Sequence, residues 1–236
     1  MTSVQPPPNL LLQALPAEQF EALGARLKPL QMVREAVFAE AGAAPAQIIF
    51  PHSGAVSIAV NLSGGQSVEV AMVGRDGVIG GFEALGDGVS LTDAIVLFPG
   101  AASAIELADF RTVVAQSPVL RNLLIRHGEA VLAQAQQTAA CNAIHSVEAR
   151  LSRWLLRARD LHEGRTLPLT QELLAQMIGV RRNAISIVAH ALQEAGIIRY
   201  SRGHIEIVDM AGLRETSCEC HAAIRARQQQ LLGSIP

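Results

Sequence analysis

The chain has 236 residues and 25.0 kDa, half of them hydrophobic and 17% charged, which excludes wholesale disorder and allows one large or two modest domains. No apolar run approaches the length of a membrane span, and the opening MTSVQPPPNL lacks the basic and apolar regions of a signal peptide, so neither is expected. The net charge of −2 hides an asymmetry: residues 1–144 balance at −5, whereas residues 145–236 hold 12 arginines, no lysine and 9 acids, a balance of +3 that suggests two modules with different partners.

Leu12, Leu15, Phe20, Leu23 and Leu27 have loose helical spacing interrupted by Pro16, which predicts two short helices between Asn9 and Leu30. From about Val33 the period shortens. Gln47–Phe50, Val56–Leu62, Val68–Met72, Ile95–Phe98 and Ala104–Leu107 read as short strands, separated by turn signals such as Ser63-Gly64-Gly65 and Pro99-Gly100. Val56, Ile58, Val60 and Leu62 are expected on one face, with Ser57, Ala59 and Asn61 on the other. Short strands at near-regular spacing predict an antiparallel, jelly-roll-like β-roll within an α+β fold. Ser117-Pro118 is a helix start, followed by Leu120, Leu124, His127, Val131, Gln134, Thr138 and Cys141 at spacings of three and four. That stripe is expected to be a homodimer seam; the other reading is one amphipathic helix packed on its own roll. A further helix over Ser146–Leu161 should point Val147, Leu151, Trp154 and Leu155 inward, and Arg150, Arg153, Arg157 and Arg159 mostly outward. The chain thus divides into a β-roll with flanking helices (1–116), a dimerisation helix (117–143) and a C-terminal domain (144–236).

The segment QELLAQMIGVRRNAISIVAHA (171–191) carries the strongest signal. Leu174, Ile178, Val180, Ile185 and Val188 are apolar where two helices must lock, Ala175 is small at their crossing, and Gly179 falls where the turn needs positive φ. Arg181, Arg182, Asn183 and Ser186 open the second helix, with chemistry suited to guanine and adenine edges. Two short strands around Ser201-Arg202-Gly203 complete a winged helix-turn-helix.

These features resemble the cyclic-AMP-receptor/fumarate-nitrate-reductase (Crp/Fnr) superfamily of transcription regulators over nearly the whole chain. GRDGVIGG (74–81) is similar to its effector domain, SVEARLSRWLL (146–156) to the first helix of its DNA domain, and LTQELLAQMIGVRRNAIS (169–186) to its helix-turn-helix. The resemblance implies double-stranded DNA at a near-palindromic operator, a second copy of the chain and RNA polymerase as partners, in the cytoplasm and without a membrane. It also implies phosphate contacts from Thr170 and Gln171 and guanine reading by Arg182, with Arg202 on the wing. Asn183 stands where many members carry glutamate and Ile187 where they carry a second arginine, so the operator sequence does not transfer.

The sensor half departs further. The effector pocket implied by the resemblance involves Arg75, Gly80, Gly81, Thr92 and Asp93. Gly81 replaces the ribose-binding glutamate, Thr92-Asp93 replaces the phosphate-clamping Arg-Ser, and Ala135-Gln136 replace hydroxyls that contact the purine. No cysteine precedes Cys141 to hold an iron–sulfur cluster. Cyclic AMP and an iron–sulfur cluster therefore do not fit, and the cofactor is left open. Gly74-x-x-Gly77-x-x-Gly80 lacks the Lys-Ser/Thr of a phosphate loop. Cys218-x-Cys220-His221 has poor zinc spacing and no second pair, so no metal is expected. No nucleophile elbow or zinc-protease motif argues for an enzyme. The rival readings are a haem- or redox-sensing regulator and a sensing module that does not bind DNA.

Overall fold

The computed structural model describes residues 5–233. Helices α1 (Leu10–Gln13) and α2 (Ala17–Gly24) open the fold, divided at Pro16 as expected. Asn9 caps α1 through Oδ1, while its Nδ2 donates to the carbonyls of Pro51 and Gly77 and anchors the helix to the roll. Helical structure does not extend to Leu30. Strand β1 (Lys28–Met32) replaces it, at a sheet edge where Pro29 is tolerated.

The roll continues with β2 (Val37–Ala39), β3 (Gln47–Pro51), β4 (Ala55–Asn61), β5 (Ser67–Val73), β6 (Asp93–Phe98) and β7 (Gly100–Glu106). Two antiparallel sheets result, ordered β1-β7-β3 and β2-β6-β4-β5. The expected alternation on β4 fails midway. Ala59 is buried while Val60 and Leu62 are exposed at the strand's end, and the register shift beside Ile58 and Ala59 places its extra residue, Val70, on β5. Ser57 is buried too, because the C-terminal domain covers that face.

Helix α3 (Leu107–Gln116) leads into α4 (Pro118–Ile144), capped by Ser117, whose hydroxyl accepts from the Leu120 amide. The stripe expected to join two chains is an intrachain packing face. Leu120 and Leu124 lie in a core with α1–α3, and Gln134 accepts from the Met72 amide at 2.9 Å. His127 and Thr138 are buried and Val131 half-buried. Periodicity identified the buried face of α4, but it could not distinguish burial against this chain from burial against another.

The C-terminal part comprises α5 (Val147–Leu161), β8 (Thr166–Leu167), α6 (Gln171–Ile178), α7 (Arg182–Glu194), β9 (Ile198–Ser201), β10 (His204–Ile207), α8 (Met210–Thr216) and α9 (Cys220–Leu232). Contrary to expectation, Arg150, Arg153 and Arg157 on α5 are buried. Two of them have polar partners, Arg157 in the roll and Arg150 within the C-terminal domain. Arg157 Nη2 donates to the Met72 carbonyl at 2.6 Å and pairs with Asp76, and Arg150 donates to the Ile178 carbonyl. A single apolar core runs from Ala55, Met72 and Phe98 of the roll into Leu151, Trp154 and Leu155.

Candidate nucleic-acid interface and apolar cavity

Thr170 caps α6, its hydroxyl accepting from the Leu173 amide at 3.1 Å. Gly179 ends the helix at φ 69°, the left-handed conformation that the turn requires. Leu174, Ala175, Ile178 and Ile185 are buried between the two helices. Helix α7 therefore projects Arg181, Arg182 and Asn183 into solvent, with Ile187 71% exposed one turn later. No side chain caps its start; the Ala184 amide donates to the Arg181 carbonyl, and the amides of Arg182 and Asn183 lack a side-chain cap and suit an anion such as a phosphate.

Ser186 is only half exposed. Its hydroxyl donates to Gln171 Oε1 at 2.7 Å, so it positions Gln171 beside the start of α7. Arg182 is tethered only loosely, its Nε 3.9 Å from Glu172 with both side chains mostly exposed. β9 and β10 pair as the expected wing, and the turn holds Arg202 and Gly203 at φ 47° and 78°. Those two positive values suit a tight hairpin and leave Arg202 at its exposed tip. Across the wing, Arg199 pairs with Glu206 at 2.7 Å.

A cavity of about 660 Å³ lies between the roll and α4. Ile58, Val70, Val73, Val78, Ile79 and Phe82 line one side, and Val131, Leu132 and Ala135 the other. Its charged or titratable lining residues are Glu83, Asp87, Glu129 and His127; among the described residues it has no lysine or arginine. Burial pushes His127 down to about 4, which keeps the ring neutral, and its Nε2 accepts from the Val78 amide at 3.4 Å. Of the expected pocket residues, Gly80 and Thr92 line this cavity.

The other three expected pocket residues are placed differently. Gly81 packs under Leu124 and Val78, where a Cβ would collide. Asp93 turns aside to accept from the Ala41 amide and Asn61. Arg75 belongs to a separate crevice with Leu10, Asp160 and Arg225.

Sequence reasoning missed a polar junction between the roll and the C-terminal domain. Asp76 and Arg157 form a buried pair at 2.7 Å, and Trp154 Nε1 donates to Glu69 Oε1 at 2.7 Å. Burial would raise the Asp76 carboxyl, but Arg157 and the Gly74 amide hold it below its usual range. Burial pushes Glu69 up to about 7, against the opposing pull of Ser57, Trp154, Arg153 and Arg157. The cysteines also regroup. His221 turns away to Asp160 at 2.9 Å, while Cys218 and Cys220 meet Cys141 and His145 from the end of α4. The i, i+4 spacing of Cys141 and His145 was a visible signal for a second pair.

Residues 149–216 match the Crp-like helix-turn-helix domain family. A comparison with curated protein sequences finds no match. Among solved structures, FixK2 from Bradyrhizobium japonicum is similar at a TM-score of 0.68 and 14% identity, covering 81% of this chain and 98% of its own. The cyclic-di-GMP-responsive global regulator CLP of Xanthomonas campestris aligns at 0.66 and 16%, covering 83% and 100%. A Crp/Fnr-family regulator from Thermus thermophilus aligns at 0.63 and 19%, covering 80% and 98%. At these identities the likeness shows a common fold. The family match adds that residues 149–216 form a Crp-like helix-turn-helix domain within this shared fold.

Proposed function

We propose that the chain is a homodimeric, sequence-specific regulator that reads the major groove with α7 and senses a neutral, mostly apolar effector in the roll cavity. The observation that carries the first part is the exposed, uncapped Arg181-Arg182-Asn183 opening of α7, flanked by Thr170 and Gln171. Arginine can grip the N7 and O6 of guanine with two hydrogen bonds, while Gln171 and the helix amides suit phosphates. Such a protein would work in the cytoplasm with RNA polymerase as its downstream partner, as a regulator rather than an enzyme.

The buried stripe of α4 leaves another face for a second copy. Ile125, Leu132 and Ala139 are exposed at seven-residue intervals, with the small Gly128 and Ala135 between them. This spacing suits a close helix–helix seam. An effector between Val131 and the roll would act by favouring one setting of α4 over another. The cavity composition argues against cyclic nucleotides, because a buried phosphate needs cationic or multiple donor partners.

Fluorescence anisotropy on a labelled duplex tests the DNA reading. Affinity should fall steeply with salt, Gln171→Ala should weaken all sequences alike, and Arg182→Ala should cost about 1–3 kcal/mol only on the specific site. Salt-independent binding, or an Arg182→Ala protein with unchanged preference, contradicts it.

A further inference from the structure

Four metal-ligating side chains converge where the long helix meets the C-terminal domain. Cys141 lies in the last turn of α4 and His145 at its C-cap; Cys218 joins α8 to α9 and Cys220 begins α9. Their donor atoms all lie within 4.8 Å of one another. Cys141 Sγ is 3.6 Å from Cys218 Sγ, and Cys220 Sγ is 3.6 Å from His145 Nδ1. Zinc–sulfur bonds of about 2.3 Å and zinc–nitrogen bonds of about 2.0 Å place tetrahedral donors roughly 3.5–3.8 Å apart. Both pairs therefore already stand at the edge length of such a tetrahedron. An iron–sulfur cluster, which spreads its thiolates around several metal and sulfide atoms, would hold them further apart.

We propose that Cys141, His145, Cys218 and Cys220 form a tetrahedral zinc site that clips the end of α4 to the C-terminal domain. The surroundings suit that occupant. His145 Nε2 faces Glu219 Oε1 at 3.4 Å, the carboxylate–histidine arrangement that orients a metal-bound imidazole. Gln137 Nε2 donates to Cys220 Sγ at 3.1 Å, as outer partners of thiolate ligands do. Three thiolates and one neutral imidazole around Zn²⁺ leave one negative charge. The buried guanidinium of Arg153 favours a charged Cys141 thiolate, and its Nε has no hydrogen-bond partner. Binding converts three thiols to thiolates and releases three protons, so occupancy should weaken in acid.

The clip spans the joint between α4 and α5 at His145-Ser146, and so sets how the helix-turn-helix domain is held on α4. The metal site stands independently of the DNA reading; only an effect on DNA affinity would rest on it.

Elemental analysis of the full chain, purified with reductant and equilibrated with zinc sulfate, tests the site. One zinc per chain is expected, and cobalt(II) in its place should give the intense visible absorption of a four-coordinate thiolate complex. Cys218→Ser and His145→Ala should lose most of the metal, whereas His221→Ala should retain it. Chelation of the wild-type protein should lower its melting temperature, a readout that does not depend on how well the variants fold. No stoichiometric zinc or cobalt, iron with a cluster spectrum, a Cys141–Cys218 disulfide that persists in reductant, or metal lost in His221→Ala but kept in His145→Ala would each overturn the proposal.

Discussion

Arg157 on α5 and Asp76 in the turn after β5 are paired at 2.7 Å, and both side chains are less than a tenth exposed. One belongs to the DNA-binding half and the other to the roll, so the pair crosses the junction between them. Gln228 of α9 reaches the same carboxylate at 3.4 Å, and the neutral His127 of the cavity lies close by. Removing one member of a buried pair strands the other charge. Asp76→Ala is expected to lose about 3–5 kcal/mol of stability in denaturant unfolding. Asp76→Ala combined with Arg157→Leu should recover much of that loss. A double variant as unstable as the sum of the singles would show that the pair is not the unit.

Glu69 and His127 predict opposing pH trends. The folded state holds Glu69 at about 7 against an ordinary 4.5, so stability falls as pH rises through that window, by about 1.4 kcal/mol per unit and about 3 kcal/mol in total. His127 is held at about 4 against 6.5, so its contribution is intact above 6.5 and is lost as pH falls towards 4. Between 4.5 and 6.5 the two slopes oppose each other. Glu69→Gln should remove the first, leaving stability that climbs with pH across this range. Unfolding midpoints measured every half unit check this; a Glu69→Gln profile parallel to wild type contradicts it.

The fold was legible where local chemistry decides it. Thr170 as cap, Gly179 at positive φ and the Ser201–His204 wing turn all follow from residue type at fixed spacing. Long-range partners were not legible. Arg157 of α5 read as solvent-facing because its carboxylate and carbonyl partners lie some 80 residues earlier in the chain. On β4, alternation marked a face but not where its cover stops, so Val60 and Leu62 are exposed while Ser57 and Ala59 are buried. The stripe on α4 showed correctly which residues are buried, but a helix pattern carries no record of what buries them. The exposed residues opening α7 were legible because they belong to one short segment, whereas the Cys₃His cluster is assembled from two distant ones.

Dimer variants separate the two faces of α4. Leu132→Asp, on the exposed face, should give folded monomers by analytical ultracentrifugation. Leu124→Asp should instead fail to fold, because Leu124 is fully buried in its own chain. A folded, monomeric Leu124→Asp protein would restore that stripe as the seam.

The cavity predicts its own selectivity. Isothermal titration with cyclic AMP and cyclic GMP should show no binding, since no cation lines the space among the described residues. The neutral dye Nile red should bind, and Val131→Phe, which fills the cavity from α4, should abolish the signal. Micromolar binding of a cyclic nucleotide would contradict this composition argument.

Selection from a pool of random duplexes tests the central claim most directly. The full chain should enrich a near-palindrome whose half-sites lie one helical turn, about 34 Å, apart. A guanine preference in each half-site should relax when Arg182→Ala is selected in parallel. No enrichment, or the same motif with undiminished preference from Arg182→Ala, would contradict the reading of α7 as the recognition helix.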